Sequence, residues 1–323
     1  MRATPPGTRL RPALVAPAMA PAKDVHAMTP ARGRLRLRSV GVSGIRKPLI
    51  VQRPDRANSL TVDFHVAVDL PSVRKGSDLS RNAEILAEVV DRTVTSPAGS
   101  LEAACTVIAR ELLARHPYAT EASVDAAAEY FLRRGVSEEK RSLENYTLLA
   151  SARATRGPGE AVEVRRTVGA EAIGMTACPC AMETCREKLR AEYPLLSDPQ
   201  FRDFPMITHN QRNRTRLVFE LDATTEVEAD AIIDVIEAAQ SSPTYAILKR
   251  GDEGQVVLDA HRRPKFVEDV VRDLLVSLPE RFPNVPDPVA VVASTVSEES
   301  IHKFNVEASH RVTFGELRRS KSA

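Results

Sequence analysis

In Val62-Asp63-Phe64-His65-Val66-Ala67-Val68-Asp69-Leu70, apolar Val62, Phe64, Val66, Val68 and Leu70 alternate with Asp63, His65, Ala67 and Asp69. A period of two puts one row of side chains on each face of a strand, so this stretch reads as a strand with one buried face. Helical spacing comes next. Ile85, Leu86, Val89 and Val90, then Leu101, Cys105, Ile108 and Leu112, recur at the interval of two amphipathic helices. Strand-like stretches return at Tyr146, Leu148 and Ala150 and at Val162 and Val164. Between them Arg156-Gly157-Pro158-Gly159 reads as a hairpin tip.

The second half repeats the order. Leu217, Phe219 and Leu221 alternate with Arg216, Val218 and Glu220, and Thr225 with Glu228 forms a capping-box signature ahead of Ile232, Val235, Ile236 and Ala239. Another helix starts after Pro264 and turns Val267, Val270, Val271, Leu274 and Leu278 inward, and closing strands open at Val289, Val291 and Ala293. Two blocks of strands, paired helices and strands predict an α+β fold with antiparallel sheets backed by helices. The two units are placed at 39–170 and 171–319. No residue-level repeat relates them.

At 323 residues the chain has room for two units, and a hydrophobic content of 43% supports real cores, packed by aliphatics because Trp is absent. A formal net charge of +2 gives no general affinity for nucleic acid. Four cysteines, three of them within eight positions, are too few and too bunched for a secreted disulfide framework. That points to a reducing, cytoplasmic setting, and no apolar run approaches the ~18 residues of a membrane span. Residues 1–38 differ from the rest: eight Lys and Arg stand against Asp24 as the only acid. They read as a disordered basic tail. A transit peptide shares the basic, acid-poor character but not the missing serine richness, and Met28 is an alternative start.

Chemistry concentrates at Cys178-Pro179-Cys180 and, some thirty residues on, Thr208-His209-Asn210-Gln211-Arg212. Two thiols two residues apart with an imidazole in reach make a sulfur-and-nitrogen corner suited to a divalent transition metal. The next helix is expected to start at Cys180, where terminal amides favour a thiolate. Cys105 sits on an apolar helical stripe and reads as a small hydrophobe. His65 reads as a solvated surface group, and His116, before Pro117, as an ordinary helix-end charge. Lys249-Arg250-Gly251-Asp252-Glu253 alone is a charged loop, and Glu268 and Asp269 alone are first-turn acids. With His302, after Glu299-Ser300-Ile301, these groups supply a thiolate, two imidazoles and a carboxylate, a four-ligand set for a divalent ion.

Taken in order, several motifs resemble the type IB GTP cyclohydrolases. They are Val68-Asp69-Leu70-Pro71 through Lys75-Gly76 and Leu79-Ser80-Arg81-Asn82, then Gly174-Met175-Thr176-Ala177-Cys178-Pro179-Cys180-Ala181 and Thr208 to Arg212. Ser241-Ser242-Pro243-Thr244-Tyr245, Phe266-Val267-Glu268-Asp269 and Glu299-Ser300-Ile301-His302 complete the set, over roughly Val40 to Leu317. The resemblance implies tandem tunnelling-fold units, a homo-oligomer of tetramer type, and a metal-dependent hydrolase. That enzyme opens the imidazole ring of GTP and releases formate, at the entry to a pterin or folate pathway. Cys178, His209, Glu253 and His302 correspond to metal-site positions, for Fe(II), Mn(II) or Zn(II). Glu268 corresponds to the carboxylate gripping the guanine edge, and Lys75, Arg81 and Arg212 are cations for the triphosphate. Cys180 is either a proton donor beside Cys178 or a helix cap.

Departures from the family pattern are local. Phe304 stands where a second histidine is frequent, and Gly251 interrupts the charged loop. The long stretch between Cys180 and His209 and the wording Leu79-Ser80-Arg81-Asn82 are more similar to the archaeal methanopterin branch, whose product is a cyclic phosphate of dihydroneopterin, against dihydroneopterin triphosphate in the folate branch. Two other functions compete. A tunnelling-fold nitrile reductase acting on a deazaguanine uses a cysteine and NADPH but has no use for His209, Glu253 and His302 together. A non-catalytic module closes a structural zinc site with Cys178, Cys180, Cys185 and His209.

Overall fold

The computed structural model describes residues 24–30, 34–52, 57–201 and 204–320. Two long strands, β1 (Leu37–Gln52) and β2 (Ala57–Leu70), lead into helices α1 (Leu79–Thr95) and α2 (Leu101–Arg115). Strands β3 (Glu121–Arg134), β4 (Ser142–Arg156) and β5 (Val162–Ala177) complete the first half. The second half runs α3 (Pro179–Glu192), β6 (Asn210–Leu221), α4 (Ala229–Ala239), the two-residue β7 (Ser242–Pro243), α5 (Arg250–Arg262) and α6 (Val267–Arg281). It closes with β8 (Ala290–Ser297), β9 (Val306–Thr313) and α7 (Phe314–Ser320).

All strands pair antiparallel in one sheet of order β1-β2-β3-β4-β5-β6-β8-β9, with β7 on β5. Helices cover one face: α1 lies on β1, α2 on β3, β4 and β5, α4 on β5 and β6, and α6 on β8 and β9. The alternation seen in the sequence buries Val62, Phe64 and Val66 against Ile85, Leu86, Ile108 and Leu112, and Leu217 and Phe219 against Ile232, Ile236, Val270 and Leu274. Each such side chain removed from water stabilises the fold by ~1.5–3 kcal/mol. The expected α+β architecture is present. The unit boundary expected at 170/171 falls inside β5, which pairs with β4 on one side and β6 on the other.

Several local expectations change. Strands β1 and β3 were not legible, although Ala122, Val124, Ala126, Ala128, Tyr130 and Leu132 of β3 are buried in strict alternation. The hairpin tip is present, with Gly159 at φ +69°, a left-handed conformation that favours glycine. The capping box at Thr225 is not formed. Asp222 takes the Thr224 and Thr225 N–H groups at 2.8 and 2.7 Å, and α4 starts later, after Glu228. Of the basic segment, residues 1–23 and 31–33 lie outside the described residues. Its remainder is docked: the His26 and Met28 carbonyls accept the Lys75 N–H at 3.1 and 2.7 Å, and Arg36 donates to Asp69 at 2.8 Å. Among the described residues, no helix is long and apolar enough to cross a membrane.

The registers define two rims. One carries the ends of β2, β4, β6 and β9 with the starts of β1, β3, β5 and β8, and the other carries the reverse. At about 3.3 Å per residue the rims stand roughly 40 Å apart along a fourteen-residue strand such as β3. The segment leaving β2 is therefore remote from the segment leaving β5.

Asp69, expected on a polar face, is 3% exposed. Burial alone raises the pKa of its carboxyl, but the N–H groups of Glu121 and Thr120, the Thr120 hydroxyl and Arg36 outweigh this and hold it below the ordinary 3.8. A depressed native value contributes stability above the unfolded pKa that is lost as pH falls through the native one. Asp69→Asn should cost about 2 kcal/mol at neutral pH, and urea titrations should show the gap to the native chain narrowing as pH falls below 3.8. A gap constant with pH would show that Asp69 acts through shape alone.

Candidate active site

Strand β5 ends at Ala177, and the chain turns into α3 through Cys178, which caps the helix in an extended conformation (φ −73°, ψ 118°). Pro179 occupies the first helical turn, where its missing N–H has no intrahelical use. The helix thus begins one turn position earlier than expected, and Cys178, not Cys180, sits at the cap. Its Sγ accepts the Ala181 N–H at 3.5 Å. Two further bonds fasten this corner to the start of β6. The Cys178 N–H donates to the His209 carbonyl at 3.1 Å, and Thr208 Oγ1 donates to the Cys178 carbonyl at 2.7 Å.

His209 lies 2.8 Å through Nδ1 from Gln211 Oε1, and Gln211 Nε2 donates to Thr176 Oγ1 at 3.1 Å. A carbonyl oxygen can only accept, so Nδ1 carries the proton and the Nε2 lone pair is left for a ligand. This is how metal-binding imidazoles are held. Glu299 Oε2 stands 3.7 Å from the same Nδ1, and Ser297 donates to Glu299 Oε1 at 3.0 Å. The ring of His302 stacks on Phe304 with centroids 4.8 Å apart and 9° between planes. Cys178, His209, Gln211, Glu268, Glu299 and His302 line one cavity of about 230 Å³. A larger cavity of about 440 Å³, bordered by Leu101, Tyr130, Leu148 and Val227, has neither thiol nor imidazole in its wall. Donor chemistry, not volume, selects the smaller one.

Of the residues singled out in the sequence, Cys178, His209, Glu268 and His302 are brought together. Glu253 is not: it is exposed on the first turn of α5, next to Asp252, which holds Lys140 at 2.7 Å. Cys180 is exposed on α3 and Cys185 half-buried on it, and neither lines the cavity that holds Cys178 and His209, so the closed zinc site of three cysteines and His209 has no support. Arg212 projects from β6 on the opposite face from buried Gln211. Lys75 and Arg81 come after β2, on the far rim. Burial pushes the Cys105 thiol up, in keeping with its apolar reading. Among the described residues, the group of three metal-capable side chains within 4.8 Å is Asp24, His26 and Asp78. Asp78 already carries Arg74 and Arg81, each at 3.0 Å, so this group is an ion-pair cluster.

A family model described as "Type I GTP cyclohydrolase folE2" matches residues 22–308. The chain belongs to that family. GTP cyclohydrolase MptA 2 of Methanocella arvoryzae is 40% identical over 303 residues, spanning 91% of this chain and 97% of the relative. GTP cyclohydrolase MptA of Methanosarcina mazei is 39% identical, over 93% of this chain and 97% of its own. Among solved structures, a uricase from Bacillus fastidious aligns with a TM-score of 0.48 at 12% identity, over 88% of this chain and 96% of that one.

In this folE2-family chain, a layer of buried polar residues that belongs to none of the motifs stands behind the site. On the helix-covered face, the aliphatic core gives way near the cavity to Asn213, Thr215, Gln240 and Thr295, all at most 1% exposed. Asn213 Nδ2 donates to Gln240 Oε1 at 2.7 Å, Gln240 Nε2 to Thr215 Oγ1 at 2.8 Å, and Thr215 meets Thr295 at 2.6 Å. Three polar residues at alternate positions, Gln211, Asn213 and Thr215, were the signal available in the sequence. Gly174 of β5 makes room for this network, because a Cβ there would lie 2.3 Å from Gln240 Cγ. Gly174→Ala should therefore lower stability by about 1–3 kcal/mol through overpacking. Thermal unfolding checks this, and an unchanged midpoint would show that Gln240 has room to move.

Proposed function

We propose that this chain is a metal-dependent GTP cyclohydrolase that hydrolyses the guanine imidazole ring of GTP and releases formate. The observation carrying it is the convergence of Cys178, His209, His302 and Glu268 on one cavity, in a chain of this family. Thiolate and imidazole donors at Cys178, His209 and His302 fit Fe(II), Mn(II) or Zn(II). When bound, such an ion supplies the Lewis acidity that lets water act as a nucleophile near neutral pH.

The remaining work falls to the chain itself. Gln211 fixes which nitrogen of His209 is protonated, and Ser297 and Glu299 brace the same ring. Glu268 offers two carboxylate oxygens to the adjacent ring N–H and exocyclic amine of guanine, a paired recognition that fixes register. The narrow cavity holds C8 of the purine against the donor wall. Two hydrolytic events at C8 open the ring and expel that carbon as formate. Rearrangement of the ribose and reclosure with loss of water then give a dihydropterin, either as the triphosphate or, where a hydroxyl of the pterin side chain displaces diphosphate from the α-phosphorus, as a cyclic phosphate.

A triphosphate needs cations, and Lys75 and Arg81 stand on the opposite rim of their own sheet. A second copy of the chain supplies them in this reading. The outermost strands of the sheet are β1, whose last residues also bond Ala98, and β9; in this reading their outward edges serve a ring-like assembly, for which the family resemblance implies a tetramer.

Cys178→Ala should reduce formate release from GTP by at least ~100-fold while leaving oligomer mass unchanged. Metal-loaded native protein that yields neither formate nor a fluorescent pterin after oxidation overturns the assignment, and product mass separates triphosphate from cyclic phosphate. For shared sites, mixed oligomers of Cys178→Ala and Lys75→Ala chains should be more active than the two variants summed. Mixtures no better than that sum place both residues in one subunit's site, or Lys75 in none.

A further inference from the structure

The segment between β2 and α1, which bears Arg74 and Lys75 with Arg81 just beyond, is tied to a buried polar chain that the cavity does not explain. His116, expected as an ordinary helix-end charge, is 0% exposed. Its Nε2 lies 2.7 Å from Asn82 Oδ1 and its Nδ1 2.8 Å from the Tyr118 hydroxyl. That hydroxyl in turn meets Ser77 Oγ at 2.8 Å and accepts the Asp78 N–H at 3.3 Å. Arg74 lies 4.0 Å over the Tyr118 ring and donates to the Gly76 carbonyl and Asp78, each at 3.0 Å.

With the Asn82 amide oxygen facing His116, the bonds run in one direction. Asn82 Oδ1 accepts, so His116 carries its proton on Nε2 and accepts from Tyr118 at Nδ1. The Tyr118 oxygen then receives Ser77 and Asp78. Burial first, and then Arg81 and Arg74 against Asp78, pushes the imidazole below its ordinary value, which keeps the ring neutral as this direction requires. The arrangement is costly, since Asn82 Nδ2 is buried with no partner. Apolar side chains fill comparable space elsewhere in this core. What the polar chain adds is direction, at Ser77, Asp78 and Asn82, the residues flanking Lys75 and Arg81.

We propose that Asn82, His116 and Tyr118 form the positioning device of the cationic segment 74–81, setting affinity for the triphosphate without touching it. This rests on the reading that Lys75 and Arg81 take the triphosphate. Tyr118→Phe keeps the ring beneath Arg74 and deletes the hydroxyl hub. In the metal-loaded oligomer it should raise KM for GTP about fivefold to thirtyfold with kcat within about twofold. Inhibition by inorganic tripolyphosphate should weaken by the same factor, and inhibition by guanosine, which lacks phosphates, should not change. Ser77→Ala should shift the same quantities in the same direction by less.

A purely structural role predicts a lower unfolding midpoint with tripolyphosphate and guanosine affected alike, and that result overturns the proposal. Lys75→Ala and Arg81→Ala separate the two layers. If both weaken tripolyphosphate inhibition and Tyr118→Phe does not, the positioning role alone falls. If neither weakens it, the triphosphate reading falls and the positioning role with it.

Discussion

The meeting of Cys178 with His209 depends on a short backbone clamp. Strands β5 and β6 pair without a break from Arg166↔Leu221 to Ala177↔Asn210. The Cys178 N–H and Thr208 hydroxyl then extend the ladder just past the sheet's edge. Thirty residues of intervening chain are closed off by those bonds, so a thiol and an imidazole distant in sequence meet. The register is demanding. Sliding β6 by one residue would exchange its faces, sending Gln211 into solvent and the Arg212 guanidinium into the core.

Around that clamp the sheet changes material along its length. Away from the site, its helix-covered face is aliphatic and supplies most of the folding energy. Near the site it becomes Asn213, Thr215, Gln240, Thr295 and Ser297, bonded to one another or to the residues that brace His209. Buried polar groups of this kind contribute little net stability, but they permit few alternative arrangements. Gly174 belongs to the same local design, since the network occupies the space a side chain would need.

Charge is distributed just as unevenly. The cavity rim holds the donors, while Lys75 and Arg81 lie beyond the opposite rim, and Arg212 faces away from Gln211. Glu253, on the first turn of α5, is likewise outside the cavity of its own chain. One copy of the fold therefore presents a donor wall and a cationic segment as separate surfaces, each held by its own buried polar bonds. Phe304, stacked on His302, shows how an aromatic ring constrains an imidazole by contact alone.

Periodicity in the sequence was sufficient for the antiparallel α+β class, both helix pairs, the β4–β5 hairpin and the apolar core, because alternation and helical spacing are local properties of a chain. Ordered motifs pointed to the family, and of the residues they singled out Cys178, His209, Glu268 and His302 line one cavity while Glu253, Lys75 and Arg81 do not. Three matters were decided only in three dimensions. His116 and Asp69 look like surface residues until long-range packing buries them and supplies their partners. The capping box at Thr225 lost to Asp222, a competitor the motif does not contain. Which cations share a rim with the cavity depends on strand order and direction, and these arise from pairings between segments far apart in the chain.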